Sequence, residues 1–148
     1  MESSLSISVI IITRNRAESL KDALTSLTKQ RRRPDEVIVV DNGSKDKTKE
    51  TTLSFNNRLN VQYIYEATVG IPYARNAGIR NASGDIIAFI DDDCVADENW
   101  LKYTEIPFIK DPNVGVVGGE VSYFRVGEGG VEAFYTKNMI SRGKCKHP

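Results

Sequence analysis

Apolar residues fall into short runs along the first part of the chain, and polar segments separate them. The runs at residues 6–13, 36–40 and 86–90 are continuous and mostly β-branched, which predicts strands that are buried on both faces. The run at residues 61–65 alternates and predicts another strand. Between the first two runs, apolar residues recur at helical spacing and predict an amphipathic helix over residues 17–30.

The alternation continues to a fifth strand at residues 113–117 and a sixth, less buried strand at residues 120–125. Turn and capping residues predict three further helices. The first begins at Ser44 or Asp46 and ends at about residue 57, the second covers residues 72–84, and the third begins at Asp97.

Regular alternation of strands and helices predicts an α/β fold with a mostly parallel, open sheet and helices on both faces. We assign residues 1–125 to this core. Residues 126–148 begin rich in glycine and end polar, and we expect them to start a further region or to form a frayed tail.

The composition fits one globular domain. The chain has 148 residues, with 20 basic and 20 acidic side chains and no net charge. We expect no nucleic acid as partner, and no basic excess along the chain suggests binding to an anionic membrane. Two cysteines are too few for a disulfide scaffold, and the N-terminal apolar run lacks the features of a signal peptide. We therefore expect a cytoplasmic protein with reduced thiols.

Polar side chains follow the predicted strands at their carboxyl ends. Ligands of open parallel sheets bind in the crevice beyond these ends. The first strand is followed by residues 13–16 (Thr-Arg-Asn-Arg), the second by Asp41 and Asn42, the third by Glu66, and the fourth by three consecutive aspartates, residues 91–93. We expect these side chains to form a binding site at one edge of the sheet.

The triplet Asp91, Asp92 and Asp93 is the strongest candidate for chemistry. Carboxylates this close repel one another unless a cation compensates their charge. Mg²⁺ and Mn²⁺ prefer oxygen ligands and Mg²⁺ often adds phosphate oxygens, so the triplet suits a metal ion and a diphosphate. A solvated acidic turn that caps the next helix is the alternative. The position at the end of a buried strand favours the metal site.

Two further segments each allow a functional and a structural interpretation. Asp41 can accept hydrogen bonds from a base N–H or a ribose hydroxyl, or it can form an Asx turn. Gly70 precedes a predicted helix whose N-terminus favours anions, and Arg75 on that helix can pair with phosphate or stay solvated. His147 is the only histidine, which argues against a Ser-His-Asp apparatus.

Taken together, the segments SVIIITRNR, PDEVIVVDNGSKDKT, GIPYARNAGI and GDIIAFIDDDC resemble family 2 glycosyltransferases, over roughly residues 5–125. The resemblance implies the Rossmann-like GT-A fold and the transfer of a sugar from a nucleotide-diphosphate sugar to an acceptor hydroxyl, generally with inversion. The implied partners are a UDP-, GDP- or dTDP-sugar and a glycan, lipid-linked or other hydroxyl acceptor. The implied cofactor is Mn²⁺ or Mg²⁺.

The resemblance also implies roles for individual residues. Asp41 matches the carboxylate that contacts the base. Asp93 matches the metal ligand of the family's Asp-x-Asp motif, with Asp91 as a supporting ligand. The positions that match nucleotide-sugar-binding residues are Thr13, Asn15, Asp41, Gly70, Arg75, Asp91 and Asp92.

The catalytic base of the family has no match. The resemblance places that base, an Asp or Glu, in a later segment, typically in an acidic pair near a helix start. Glu128 and Glu132 are the only acidic residues after Glu120, and their context differs. We therefore expect the donor-binding half of such an enzyme, with the base in a segment that this chain lacks. On its own, such a half binds donor but transfers sugar poorly, because an inverting transfer needs a base.

Two alternatives stay open. A non-catalytic nucleotide-sugar-binding module that works with a partner chain would also lack a base. A phosphoacceptor receiver domain uses carboxylates at strand ends too, but it needs an acidic pair where this chain has Thr13 and Arg14. We further expect the inner face of the membrane as a second location of the protein. We also expect a homodimer that forms through an unpaired strand at residues 120–125.

Overall fold

Strands and helices alternate from the N-terminus to Lys110. The computed structural model describes residues 4–119 in full and the backbone of three later strands, residues 124–126, 131–133 and 138–141. The elements are β1 (Ile7–Thr13), α1 (Ala17–Thr28), β2 (Glu36–Asp41), α2 (Thr48–Leu53), β3 (Val61–Tyr65), α3 (Ile71–Asn81), β4 (Ile86–Phe89), α4 (Trp100–Lys110), β5 (Val116–Gly119), β6 (Phe124–Val126), β7 (Val131–Ala133) and β8 (Asn138–Ser141).

The first four strands form one parallel sheet in the order β3-β2-β1-β4. In its register, Thr13 at the end of β1 lies beside Asp41 at the end of β2. Because all four strands run in one direction, their carboxyl ends meet at one edge. The predicted open parallel sheet is confirmed.

Two apolar layers cover the sheet, as strands with continuous β-branched runs require. On one face, Val9 and Val39 pack with Leu24 of α1 and Leu101 of α4. On the other face, Ile10, Ile38 and Val40 pack against Ala74 and Ala77 of α3. Helices therefore lie on both faces, as predicted.

The edge strand β4 corrects one prediction, because it is buried on one face only. Ile86 and Ala88 are buried, whereas Ile87 and Phe89 are 38% and 42% exposed. α3 packs mainly over β1 and β2 and reaches this face of β4 through the Arg75 guanidinium, which lies 5.5 Å from the centroid of the Phe89 ring. The continuous apolar run of β4 was therefore not sufficient to predict that other elements bury both faces of this strand.

The fifth strand corrects a second prediction. It spans Val116–Gly119 rather than residues 113–117, and it pairs antiparallel with β8 instead of joining the parallel sheet. Of the predicted sixth strand, residues 124–125 lie in β6, while residues 120–123 lie outside the described residues. β6 pairs with β7, so the premise of an unpaired strand fails there, and the homodimer stays a prediction.

Helix ends differ from the predictions by a few residues. α2 stops at Leu53 and α3 at Asn81, while α4 begins only at Trp100. In the region predicted as the start of a further part or a frayed tail, residues 126–148, the structure describes strand residues at 126, 131–133 and 138–141, and the others lie outside the described residues. The division at residue 125 stays a prediction. No helix in the described part of the chain combines the length and the apolar character that a membrane crossing needs.

Candidate functional site

A cavity of about 460 Å³ opens at the carboxyl edge of the sheet. It lies between the loop after β1, the end of β2, the start of α3 and the loop after β4. Six of the eight predicted site residues line it, and Asn15 and Asp41 do not. The lining residues are Ile12, Thr13, Arg14, Arg16, Asn42, Val69, Gly70, Ile71, Arg75, Asp91, Asp92 and Asp93.

Asp92 is the buried member of the acidic triplet. Its Oδ2 accepts a hydrogen bond of 2.8 Å from the Thr13 hydroxyl, and its Oδ1 accepts one of 3.2 Å from Arg16 Nη1. Burial raises the pKa of Asp92 above its usual value, although the Thr13 hydrogen bond and the Arg16 charge oppose that shift. Both oxygens are engaged within the protein, so Asp92 is held in place and points away from solvent.

Asp91 and Asp93 are exposed and face the same small volume. One carboxylate oxygen from each, together with Cys94 Sγ, lies within 4.8 Å of the others. Burial and then the charges of Asp91 and Asp93 raise the pKa of Cys94 to about 11, so the thiol stays protonated at neutral pH. Two carboxylates beside a protonated thiol fit a hard divalent ion such as Mn²⁺ or Mg²⁺, which takes oxygen ligands.

Asp41 is buried and does not line the cavity. The side chain is only 3% exposed; its Oδ1 accepts from the Ser44 N–H at 2.8 Å and its Oδ2 from the Tyr63 hydroxyl at 2.7 Å. Burial raises the pKa of Tyr63, and the hydrogen bond to Asp41 adds to the shift. The predicted Asx-type contact is present, and the predicted contact with a base stays a prediction.

Asn42 ties the second and third strand ends to α3. Its Nδ2 donates to the carbonyls of Glu66 and Thr68, and its Oδ1 accepts from the Gly70 N–H at 2.7 Å. Gly70 has φ +146°, a backbone conformation that a side chain would strain. This anchoring brings the N-terminus of α3 and Arg75 to the cavity wall.

Asn15 has a structural role in the loop after β1. It adopts φ 54°, which asparagine tolerates better than most residues. Its N–H donates to Ser44 Oγ and its Oδ1 accepts from the Lys45 N–H. Asp46 adds a further link, because its carboxylate accepts from the backbone N–H groups of both Ala17 and Thr48.

Three residues of the site were given no role from the sequence: Arg16 and Asn42, which were placed at the strand ends, and Tyr63, which was not singled out. Asn42 stands next to Asp41 at the end of a strand, a position that already favoured it. Nothing in the sequence separates Arg16 from Arg14 or Tyr63 from Tyr65. Their roles depend on which way each side chain turns in the fold.

Known proteins resemble the chain in sequence. The family described as Glycosyl transferase family 2 matches residues 8–144. Glycosyltransferase AglE from Haloferax volcanii is 39% identical over 121 residues, which are 79% of this chain and 40% of that protein. The chain therefore spans less than half the length of this relative.

Solved structures resemble the chain in fold. The structure of S. aureus TarS 1–349 in complex with UDP gives a TM-score of 0.69 at 29% identity, over 76% of this chain and 34% of that one. A mannosyltransferase, PcManGT from Pyrobaculum calidifontis, in complex with GDP-Man and Mn²⁺ gives a TM-score of 0.68 at 26% identity, over 84% of this chain and 36% of that one.

Proposed function

The chain belongs to glycosyl transferase family 2, and from this premise we propose that it holds the donor site of a metal-dependent, inverting sugar transfer. The donor is a nucleotide-diphosphate sugar that occupies the cavity at the carboxyl edge of the sheet. The acceptor is a hydroxyl of a glycan, a lipid-linked sugar or another molecule. The reaction is proposed for the cytoplasm, including the inner face of the membrane.

The observation that carries the proposal is the meeting of Asp91 and Asp93 in a cavity that three arginines also line. We assign the divalent cation to Asp91 and Asp93; when bound, it offsets negative charge on the departing diphosphate. The guanidinium of Arg75 and the N-terminus of α3 also line the cavity and favour the same diphosphate. Acidic and basic groups thus line one volume that suits a charged ligand.

The nucleoside end of the donor is assigned to the side of Thr13 and Asp41. Each oxygen of Asp41 accepts one hydrogen bond within the protein, and a carboxylate oxygen has room for a second. A base N–H that reaches this carboxylate completes its hydrogen bonding. The Ser44 and Tyr63 contacts hold the carboxylate in the orientation that such a contact needs.

Inverting transfer also needs a group that takes the acceptor's proton. The acceptor oxygen bonds to the anomeric carbon as the bond from that carbon to the diphosphate breaks, and the proton passes to a base. Within residues 4–119, no carboxylate is assigned this role. We propose that the base belongs to the acceptor-binding part of the whole protein, as expected from the resemblance.

Thermal unfolding in the presence of UDP, GDP, CDP or dTDP, each with and without Mn²⁺, tests the donor site. One nucleotide at about a hundred times its dissociation constant should stabilise the fold by about 2.7 kcal/mol, which is a rise of roughly 5–10 °C in melting temperature. The rise should require Mn²⁺ and should vanish in Asp93→Ala.

Asp22→Ala provides the matched control, because Asp22 is an exposed carboxylate on α1 and does not line the cavity. This variant should keep the full nucleotide effect. If a folded wild-type sample shows no rise with any nucleotide, the donor site does not exist. A rise that does not need Mn²⁺ would contradict the metal assignment alone.

A further inference from the structure

Arg16 lies where the cation is assigned, and it is already bound to the acidic triplet. Its Nη1 donates to Asp92 Oδ1 at 3.2 Å and to Asp93 Oδ2 at 3.1 Å. A single nitrogen therefore bridges two carboxylates that come from a different loop. The guanidinium supplies positive charge in the place where the triplet otherwise repels itself.

The two carboxylates that Arg16 contacts differ in freedom. The Asp92 side chain is 8% exposed, and its second oxygen is taken by Thr13. The Asp93 side chain is 51% exposed, and apart from Arg16 its contact in the described part of the chain is the Cys94 thiol at 3.9 Å. Asp93 is thus the partner that Arg16 can release at low cost, because an exposed ion pair contributes little.

Resting on the proposed function, we propose that Arg16 is an internal counter-ion that competes with the divalent cation for Asp93. While the donor is absent, the positive charge of Arg16 weakens cation binding at Asp91 and Asp93. When a diphosphate enters, Arg16 turns to the phosphate oxygens and leaves Asp93 to the cation. The cation and the nucleotide then bind cooperatively, because each of them favours the release of Asp93 by Arg16.

The geometry of the guanidinium allows this exchange. Its Nε and Nη2 donate to no residue in the part of the chain that the structure describes, so they are available to phosphate oxygens. The bond from Nη1 to Asp92 can persist at the same time, because the planar group carries five donors. Arg16 also makes no side-chain capping bond to α1, so its replacement should not unfold that helix.

Titration of the folded protein with Mn²⁺ alone, with free Mn²⁺ measured by electron paramagnetic resonance, tests the competition without any sugar transfer. Arg16→Ala should bind Mn²⁺ on the order of tenfold more tightly than the wild type, since one positive charge near the ion is lost. Arg16→Lys keeps the charge and should stay close to the wild type. Circular dichroism verifies that each variant is folded.

Arg14→Ala is the matched control for net charge. Arg14 lies two residues away, lines the same cavity and makes no ion pair among the described residues. Its replacement should change the affinity for Mn²⁺ by less than about threefold, because it removes only a long-range repulsion that the solvent ions screen. An equal gain in Arg14→Ala and Arg16→Ala, or no gain in Arg16→Ala, overturns the competition.

The second measurement repeats the Mn²⁺ titration with saturating UDP and, separately, GDP. In the wild type the effective nucleotide should tighten Mn²⁺ binding more than it does in Arg16→Ala, because coupling between two ligands is reciprocal and Arg16 carries part of it. Equal coupling in both proteins contradicts the exchange. If neither protein binds Mn²⁺ even with nucleotide, the metal site of the proposed function fails, and the role of Arg16 fails with it.

Discussion

The hydroxyl of Thr13 donates a buried hydrogen bond of 2.8 Å to Oδ2 of Asp92, across 79 residues of sequence. Thr13 is 2% exposed and Asp92 is 6% exposed. The bond joins the end of β1 to the loop after β4, and it fixes the one aspartate of the triplet that does not face the proposed cation. Asp92 therefore fixes the position of the loop that carries Asp91 and Asp93.

We expect Thr13→Val to lower the free energy of unfolding by about 1–3 kcal/mol near pH 7, because a buried carboxylate loses its donor. The loss should depend on pH. The folded-state pKa of Asp92 already lies above its unfolded value, so Asp92 lowers stability as pH rises between the two values. Without the Thr13 hydroxyl the folded-state pKa of Asp92 rises further. The loss of stability in Thr13→Val therefore grows toward neutral pH and shrinks below about pH 4. Urea denaturation at both pH values measures it.

Thr13→Ser retains the hydroxyl and is the control for this variant. It should lose only the contribution of one methyl group, about 1 kcal/mol, and that loss should not change with pH. A deficit in Thr13→Val that is the same at both pH values would mean that the hydroxyl does not support the ionised form of Asp92.

Tyr63→Phe should destabilise the protein by about 1–2 kcal/mol, because, among the residues that the structure describes, the Ser44 N–H is then the one donor left to the buried carboxylate of Asp41. Tyr65→Phe removes an equivalent hydroxyl from a side chain that is 59% exposed, and should change stability by less than about 0.5 kcal/mol. Urea denaturation compares the two. Equal effects of both variants would show that the phenol of Tyr63 is not needed to hold Asp41.

Asp46→Ala should reduce the free energy of unfolding by about 1–2 kcal/mol near pH 7, since the Asp46 carboxylate accepts from the first N–H of α2 and from the first N–H of α1. The hydrogen bond from the Thr48 hydroxyl lowers the pKa of Asp46, and bonds from the backbone N–H groups add to this shift. The stability that the carboxylate contributes is therefore present above its unfolded pKa and is lost as pH falls through the lower folded value.

Urea denaturation of Asp46→Ala between about pH 7 and pH 3 follows that loss. The difference from the wild type should be largest at the higher pH and should close at the acidic end. Asp22→Ala, on the exposed face of α1, should show little difference at any pH. A constant deficit across the range would assign the effect of Asp46 to something other than its charge.

The parallel sheet and most of the site could be predicted, because the features that set them are local. Strands β1 to β3 are marked by their own β-branched or alternating runs, and the residue after a strand end is known once the strand is known. Thr13 and the triplet were placed at the cavity in this way, whereas Gly70 and Arg75 were placed there by the predicted N-terminus of the next helix and by the family resemblance. No tertiary contact was needed for that inference.

The parts that could not be predicted depend on distant neighbours. Burial of Ile87 and Phe89 is decided by where α3 packs, and α3 lies over β1 and β2. The pairing of β5 depends on a partner strand more than 20 residues later, Asn138–Ser141. Arg16 and Tyr63 acquire their roles from single contacts across the fold, which carry no signature in the spacing of residues.

The register between β1 and β4 links the pairing of these strands to the assembly of the acidic triplet. Ile10 lies opposite Phe89, and Thr13 bonds Asp92 at the same separation of 79 residues, so the pairing simply continues past the strand ends. A slip by one residue would turn Ile87 and Phe89 into the core and swing Asp92 out. A misaligned chain would thus bury the wrong face of β4 and separate Asp92 from Thr13 at the same time. Correct pairing of β4 with β1 is therefore a condition for the arrangement of the acidic triplet.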